Sequence, residues 1–297
     1  MVGVFGLINA CKPRGISSYD VIRRLRRRLP RRTRVGHAGT LDPLAEGVLV
    51  LCLGPATRLA ELIQSREKEY LVDAELGAFS GTDDAEGELR PVPVAAHPAP
   101  EAVAAAVAAF VGTIEQAPPA YSAVKVGGHR AYRLARGGRA VEPSPRPVTI
   151  HELEVLAYHW PRLRLRAVCG RGTYVRSLVR DLGRRLGTGG YCLGIVRTRI
   201  GPFRADQAAD MDALQARPLE ELIIPAVEAV PPSARVPVDD DQVRRLAAGR
   251  PAPAGDVPPG GAKLLGAVDA RGELVALVRP DPAAGCLRPV KVFRAET

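Results

Sequence analysis

The stretch GHAGTLDPLAEGVLVLCLG, residues 36–54, sets Gly36, Gly39 and Gly47 around one carboxylate, Asp42, which is locked between Leu41 and Pro43, and then runs straight into an apolar strand. Glycine accepts left-handed backbone and close approach by another segment, whereas proline restricts itself and the residue before it. Such a chain must build a tight loop on the end of a buried strand, and the loop offers a single acid. The plain role for Asp before Pro is a helix N-cap with Pro at the first helical position, and LDPLAEG fits it. The other role is an isolated carboxylate that attacks something or orients a base. In a site that excludes water such a group needs an arginine beside it to stay ionised, and Arg176 is the candidate.

Charge narrows the partner. The 42 basic and 32 acidic residues give a net +10, but residues 1–40 hold ten basic side chains against Asp20, and residues 160–200 hold ten arginines against Asp181. Subtracting these 18 net positive charges leaves the remainder of the chain at −8. Codon bias toward arginine explains why only five of the 42 are lysine, but not why they cluster. Two basic blocks in an otherwise acidic chain point to a polyanion held by phosphate contacts, which makes nucleic acid the leading partner.

Length suggests one large domain, or a large one plus a small one. Ser17 and Asp20 open a helix over 19–29 with Ile22, Leu25 and Leu29 on one face, arginines elsewhere, and Pro30 as its stop. Residues 48–53 read as a buried strand, 70–76 as a half-exposed one, and 80–88 as a turn-rich loop. Pro98 and Pro100 introduce a packing helix that buries Val103, Val107 and Phe110. Residues 118–138 mix turns with basic and aromatic side chains, and PSPRP leads into a strand at 148–156. Arg162, Arg164 and Arg166 then share one face of a strand, which reads as a binding surface. A helix packing Val175, Leu178, Val179, Leu182 and Leu186 ends at Gly187, followed by a strand at 193–200. From about 230 a linker-like stretch leads to short apolar runs at 264–268, 274–278 and 287–293, a small β-rich module.

Several classes fall away. GxxxxGK[ST], GxGxxG and HExxH are absent, which disfavours an NTPase, a dehydrogenase and a zinc peptidase. His97, His129, His151 and His159 are scattered, and the five cysteines never form C-x-x-C, so neither a metal site nor a disulfide framework is expected. No apolar run reaches the roughly 18 residues of a membrane span, and the N-terminus lacks the marks of a secretory signal, so a cytoplasmic protein is expected.

KPRGISSYDV (12–21), GHAGTLDPLAEGVL (36–49), KEY (68–70), PPAYSAVKVGG (118–128), GRGTYVRSL (170–178) and TRIGPF (198–203), in this order, resemble the TruB family of tRNA pseudouridine-55 synthases. Residues 235–297 resemble the PUA module that many members carry. The resemblance implies an α+β fold, with a mixed, mainly antiparallel central sheet and flanking helices in a catalytic domain over 1–230, and a PUA-like RNA-binding domain over 235–297. It implies that Asp42 is the nucleophile in converting uridine to pseudouridine, by C6 addition or C1′ attack, without cofactor or metal. Either route needs the uridine out of its stack. Tyr70 would stack on the uracil and accept the C5 proton, Arg176 would pair with Asp42, and His37 would support the flipped conformation. Tyr174 would line the pocket, Ile195 would touch the base, and Lys12 would begin a turn beside the site. The implied partner is the T arm and loop of tRNA, gripped by the 19–29 helix, the 162–166 strand and residues 171–185, and the implied state is a monomer. Three positions depart from the family pattern: Cys11 for an acid, Glu46 for a small residue and Val196 for an arginine. A non-catalytic tRNA binder or folding helper on the same scaffold is the competing reading; an RNA methyltransferase would want a glycine-rich nucleotide loop, which is missing.

Overall fold

A computed structural model describes residues 4–122, 124–126, 129–130, 143–255, 257 and 263–293. Residues 131–138 of the basic and aromatic stretch, and 123, 127 and 128 of PPAYSAVKVGG, lie outside the described residues. In chain order the first half supplies β1 (Gly6–Lys12), β2 (Val35–His37), β3 (Ala45–Leu53), β4 (Lys68–Leu76), β5 (Ala78–Ser80), β6 (Leu89–Pro91) and β7 (Gly112–Gln116). A short ribbon of β8 (Lys125–Val126) and β9 (His129–Arg130) precedes β10 (Arg146–His159), β11 (Arg162–Cys169), β12 (Gly190–Ile200) and β13 (Phe203–Arg204). The main sheet runs β1-β3-β12-β4-β11-β10-β7, with β2 beside β3 and β13 beside β12. Its neighbours are antiparallel except β3 and β12, which run parallel through Ala45/Ile195, Glu46/Val196 and Gly47/Arg197. The sheet is therefore two antiparallel halves joined by one parallel seam near its middle.

Among the described residues four α-helices lie between β1 and β12. α1 (Ser18–Arg26) starts as its sequence dictates, with Ser17 and Asp20 forming a reciprocal capping box. It stops four residues before Pro30, because residues 27–29 continue only as turns. After α2 (Ala60–Gln64), α3 (Pro100–Ala108) begins at its proline and buries Val103 and Val107. α4 (Val175–Leu186) ends where Gly187 turns left-handed at φ 70°. It lies so close to β12 that a Cβ on Gly183 would sit 2.2 Å from the Gly189 carbonyl carbon. α3 and α4 cover one sheet face over an apolar core that includes Leu41, Leu44, Val72, Leu165, Leu178 and Ile195.

The arginine face of β11 is not free. Arg162 pairs with Glu75 at 3.0 Å, Arg164 with Asp73 at 3.5 Å, and Arg166 with Glu69 at 3.0 Å and Glu152 at 2.7 Å. The acids come from β4 and β10, the flanking strands, so the expected cationic surface is a charge-matched lattice.

The expected linker at 230–242 is also structured. After α5 (Ala213–Ala216) and α6 (Leu219–Leu222), β14 (Arg235–Pro237) pairs in parallel with β16 (Leu265–Val268), and Asp239 caps α7 (Asp240–Ala247). With β15 (Ala252–Pro253), β17 (Leu274–Asp281) and β18 (Cys286–Val292), they form a five-stranded sheet ordered β14-β16-β17-β18-β15. One apolar cluster runs from Leu7, Val48 and Val50 through Leu59 and Ile63 to Val236, Leu265 and Val278. Phe5 stacks on Phe293 with ring centres 5.7 Å apart. All five cysteines are free, and Cys52, Cys169 and Cys192 are buried.

Candidate active site

The Asp42 loop sits at the head of the parallel seam. Leu41 and Leu44 are buried, and they pin the loop while Asp42 and Pro43 between them stay on the surface. The Asp42 carbonyl accepts from the Ala45 amide at 3.1 Å, and the chain then enters β3 directly. No helix follows, so the N-cap role is excluded. A second loop laces onto the first: the Ser18 hydroxyl accepts from the Leu41 amide at 2.9 Å and donates to the Leu41 carbonyl at 3.0 Å, and the Gly15 amide donates to the Pro43 carbonyl at 2.8 Å.

The Asp42 carboxylate, 39% exposed, lies 2.9 Å from Nη2 of Arg176, which is 5% exposed. Arg176 also pairs with buried Asp84 at 3.1 Å and donates to the carbonyls of Thr82 and Tyr121. Burial disfavours this cation, but Asp42 and Asp84 outweigh it and the pKa is raised. One turn along α4, Arg180 pairs with Asp83 at 2.8 Å. The 80–88 loop, read from sequence only as turns, is thus nailed to α4 through two buried acids.

Tyr70 is buried on β4, in register with Arg197 of β12 and Ala167 of β11. Burial raises its pKa, and the Arg197 guanidinium opposes that rise. Lys12, at the end of β1, is fully buried, and its ammonium donates to the carbonyls of Pro13 and Ile16. Burial lowers its pKa to about 8 against the pull of Asp42. His37 is half-buried at the end of β2 with Nδ1 unpartnered; burial, then Arg197, lower its pKa and favour the neutral ring. Ile195 is buried in the seam between Ala45 and Val72. Tyr174 caps α4, its backbone held by Gln116 and its ring faced by Arg146 at 5.3 Å. Asp42, Lys12, His37, Tyr70, Arg176 and Ile195 thus gather around the seam, whereas the contacts of Tyr174 are with Gln116 of β7 and Arg146 of β10.

Three residues escaped the sequence reading. Asp84 lies in the turn-rich 80–88 loop with other acids, Lys68 opens the KEY run without a role of its own, and Arg197 alternates with Arg199 on the 193–200 strand. Lys68 is buried with its pKa lowered to about 8, first by burial. Arg197 is 1% exposed. The three departures from the family pattern also meet: Glu46 lies in register with Val196, and Glu46 adds to burial in raising the Cys11 thiol. The acid absent at 11 stands on the neighbouring strand. Among the described residues no cluster of His, Cys, Asp and Glu is arranged to hold a metal.

A family model for TruB family pseudouridylate synthases, N-terminal domain, matches residues 26–175. The tRNA pseudouridine synthase B of Thermobifida fusca (strain YX) is 43% identical over 305 residues, spanning 97% of this chain and 98% of its own. That of Arthrobacter sp. (strain FB24) is 43% identical over 302 residues, spanning 97% and 96%. A chain from the crystal structure of a Cbf5-Nop10-Gar1 complex superposes with a TM-score of 0.75 at 25% identity, covering 98% of this chain and 85% of that one.

Proposed function

Because the chain belongs to the TruB family of pseudouridylate synthases, we propose that it isomerises uridine 55 in the T loop of tRNA to pseudouridine with Asp42 as nucleophile. One observation carries this reading: an exposed carboxylate is gripped at 2.9 Å by a buried guanidinium, on a loop pinned by Leu41 and Leu44. A carboxylate so held keeps its aim while a substrate approaches from solvent. In the reaction the bond from N1 to C1′ breaks, the uracil turns, and C5 bonds to C1′. The proton leaves C5 and one returns to N1, so the change is an isomerisation. Asp42 attacks at C6 or C1′ of the extruded nucleoside. The Tyr70 ring covers the base and its hydroxyl takes the C5 proton, with Arg197 favouring the anion formed. Ile195 supplies the apolar floor, Tyr174 a wall, neutral His37 a ring against the displaced bases, and Lys12 a buried cation behind Asp42.

The RNA backbone falls to α1. Arg23, Arg24, Arg27 and Arg28 line a cleft of about 570 Å³ with Gln215, and α1 starts at Ser18, whose hydroxyl clasps the Asp42 loop. Phosphates leaving the site would meet those guanidinium groups. On this reading the five-stranded sheet is the PUA-like module extending the RNA surface, and the enzyme is a cytoplasmic monomer.

The test is Asp42→Asn on an unmodified tRNA transcript, with pseudouridine mapped chemically and tRNA affinity measured beside it. Product should vanish while affinity stays within about threefold, since one rim charge is lost. Product formed at the wild-type rate would end the reading.

A further inference from the structure

Arg197 stands where both halves of the site meet. On β12 it is in register with Gly47 across the parallel seam and with Tyr70 on the other side. Its guanidinium donates from Nε to the Val48 carbonyl at 2.8 Å, from Nη2 to Gly39 at 3.0 Å, and from Nη1 to Thr40 at 3.4 Å. Gly39 and Thr40 belong to the loop that carries Asp42. A Cβ on Gly47 would sit 2.3 Å from the Arg197 carbonyl oxygen, and Gly47 has φ +99°, so glycine is required for this approach. A register shift between Arg197 and Arg199 lets Arg197 point inward while Arg199 reaches Glu67 outside.

The guanidinium is 1% exposed and forms no ion pair among the described residues. A buried cation without a carboxylate is costly, and a neutral amide could tie two carbonyls more cheaply. The charge therefore calls for a use. The groups that feel its charge are Tyr70 and Lys68 on β4, His37 on β2, Lys12 on β1 and Cys169 on β11, and Asp42 in the loop acts on the same Tyr70 and Lys12. Of these only Tyr70 and Asp42 are assigned the chemistry, and Arg197 touches the strand of one and the loop of the other.

We propose that Arg197 is a positioning residue for pseudouridine formation: it ties the backbone behind Asp42 to the strand bearing Tyr70, so that carboxylate and phenol meet the extruded uridine as one rigid pair. The inference rests on the functional reading above. Its charge favours the phenolate that Tyr70 becomes as the proton moves.

Arg197→Lys and Arg197→Gln, made in the full chain, test it against unmodified tRNA. Neither side chain can make all three bonds, so single-turnover rates should fall about 100-fold, the scale of a misplacement near 1 Å, with tRNA affinity within about threefold. The pH dependence that disappears in Tyr70→Phe should move to higher pH in Arg197→Gln and stay in place in Arg197→Lys, which keeps the charge. Rates that fall only with the folded fraction, or affinity that falls in step with rate, would overturn the proposal. Should Arg197→Gln not fold, Arg197→Lys alone decides the rate, and faster amide exchange at residues 39–42 reports the lost tether. If the wild-type protein forms no pseudouridine, the functional reading fails, and unchanged exchange in Arg197→Lys would refute the tether separately.

Discussion

Asp42 and Arg176 share one ion pair but not one role in the fold. Arg176 is almost wholly buried and serves two carboxylates, of which Asp84 is also 5% exposed. Arg176→Met should strand Asp84 without a cation, leaving it the Thr82 hydroxyl and the Glu86 amide, and cost roughly 3–5 kcal/mol. Asp42→Asn, at an exposed position with Asp84 still holding Arg176, should cost under about 1 kcal/mol. Urea melts of both variants check this, and equal losses would mean that Asp42 is a structural acid. Asp42 could be found from sequence because the glycines, Pro43 and the flanking leucines act within a dozen residues. Arg197 could not, because its three acceptors lie about 150 residues away and nothing local marks one strand arginine as inward.

Two arginine-rich elements of similar sequence texture behave differently. In α1 the arginines outnumber Asp20, which takes only Arg23. In β11 each of Arg162, Arg164 and Arg166 meets an acid from a neighbouring strand. Counterion release scales with phosphates neutralised, so Arg24→Gln with Arg27→Gln should flatten the plot of log affinity for tRNA against log salt by about 2. Arg162→Gln with Arg164→Gln should leave the slope alone; the reverse pattern would restore β11 as the RNA surface. The helix, the strands and the glycine cap of α4 were legible because period and punctuation are local. The neutralised face was not, because strand order decides which acids stand opposite. The same holds at 230–242, where proline-rich texture suggests a linker but β14 finds its partner some thirty residues later.

Over the whole molecule, buried titrating groups set a pH optimum for stability. Burial lowers Lys12 and Lys68 to about 8, so above that the folded chain has released protons that the unfolded lysines keep to about 10.4. Stability should rise with pH there. Burial also raises Cys169 to about 11, Cys52 to about 12 and Cys192 further, whereas unfolded thiols ionise near 8.5. With Cys11, which burial also raises, four thiols then hold protons the unfolded chain sheds, and they outnumber the two lysines. Denaturation free energies from pH 7 to 10.5 should peak between about 8 and 9, and Lys68→Met should weaken the rise below the peak. A steady decline from pH 7 would refute this balance.

The parallel seam has a consequence for synthesis. Asp42 leaves the ribosome before Arg176 and Arg197, which come off it more than 130 residues later, and a polypeptide cut short between them carries the full GHAGTLDP signature with the Ser18 and Gly15 bonds but neither guanidinium to hold it. Long-range pairings of this kind close late. If the proposed function holds, the site is complete only once β12 has been made, and pseudouridine formation would report that translation has passed it.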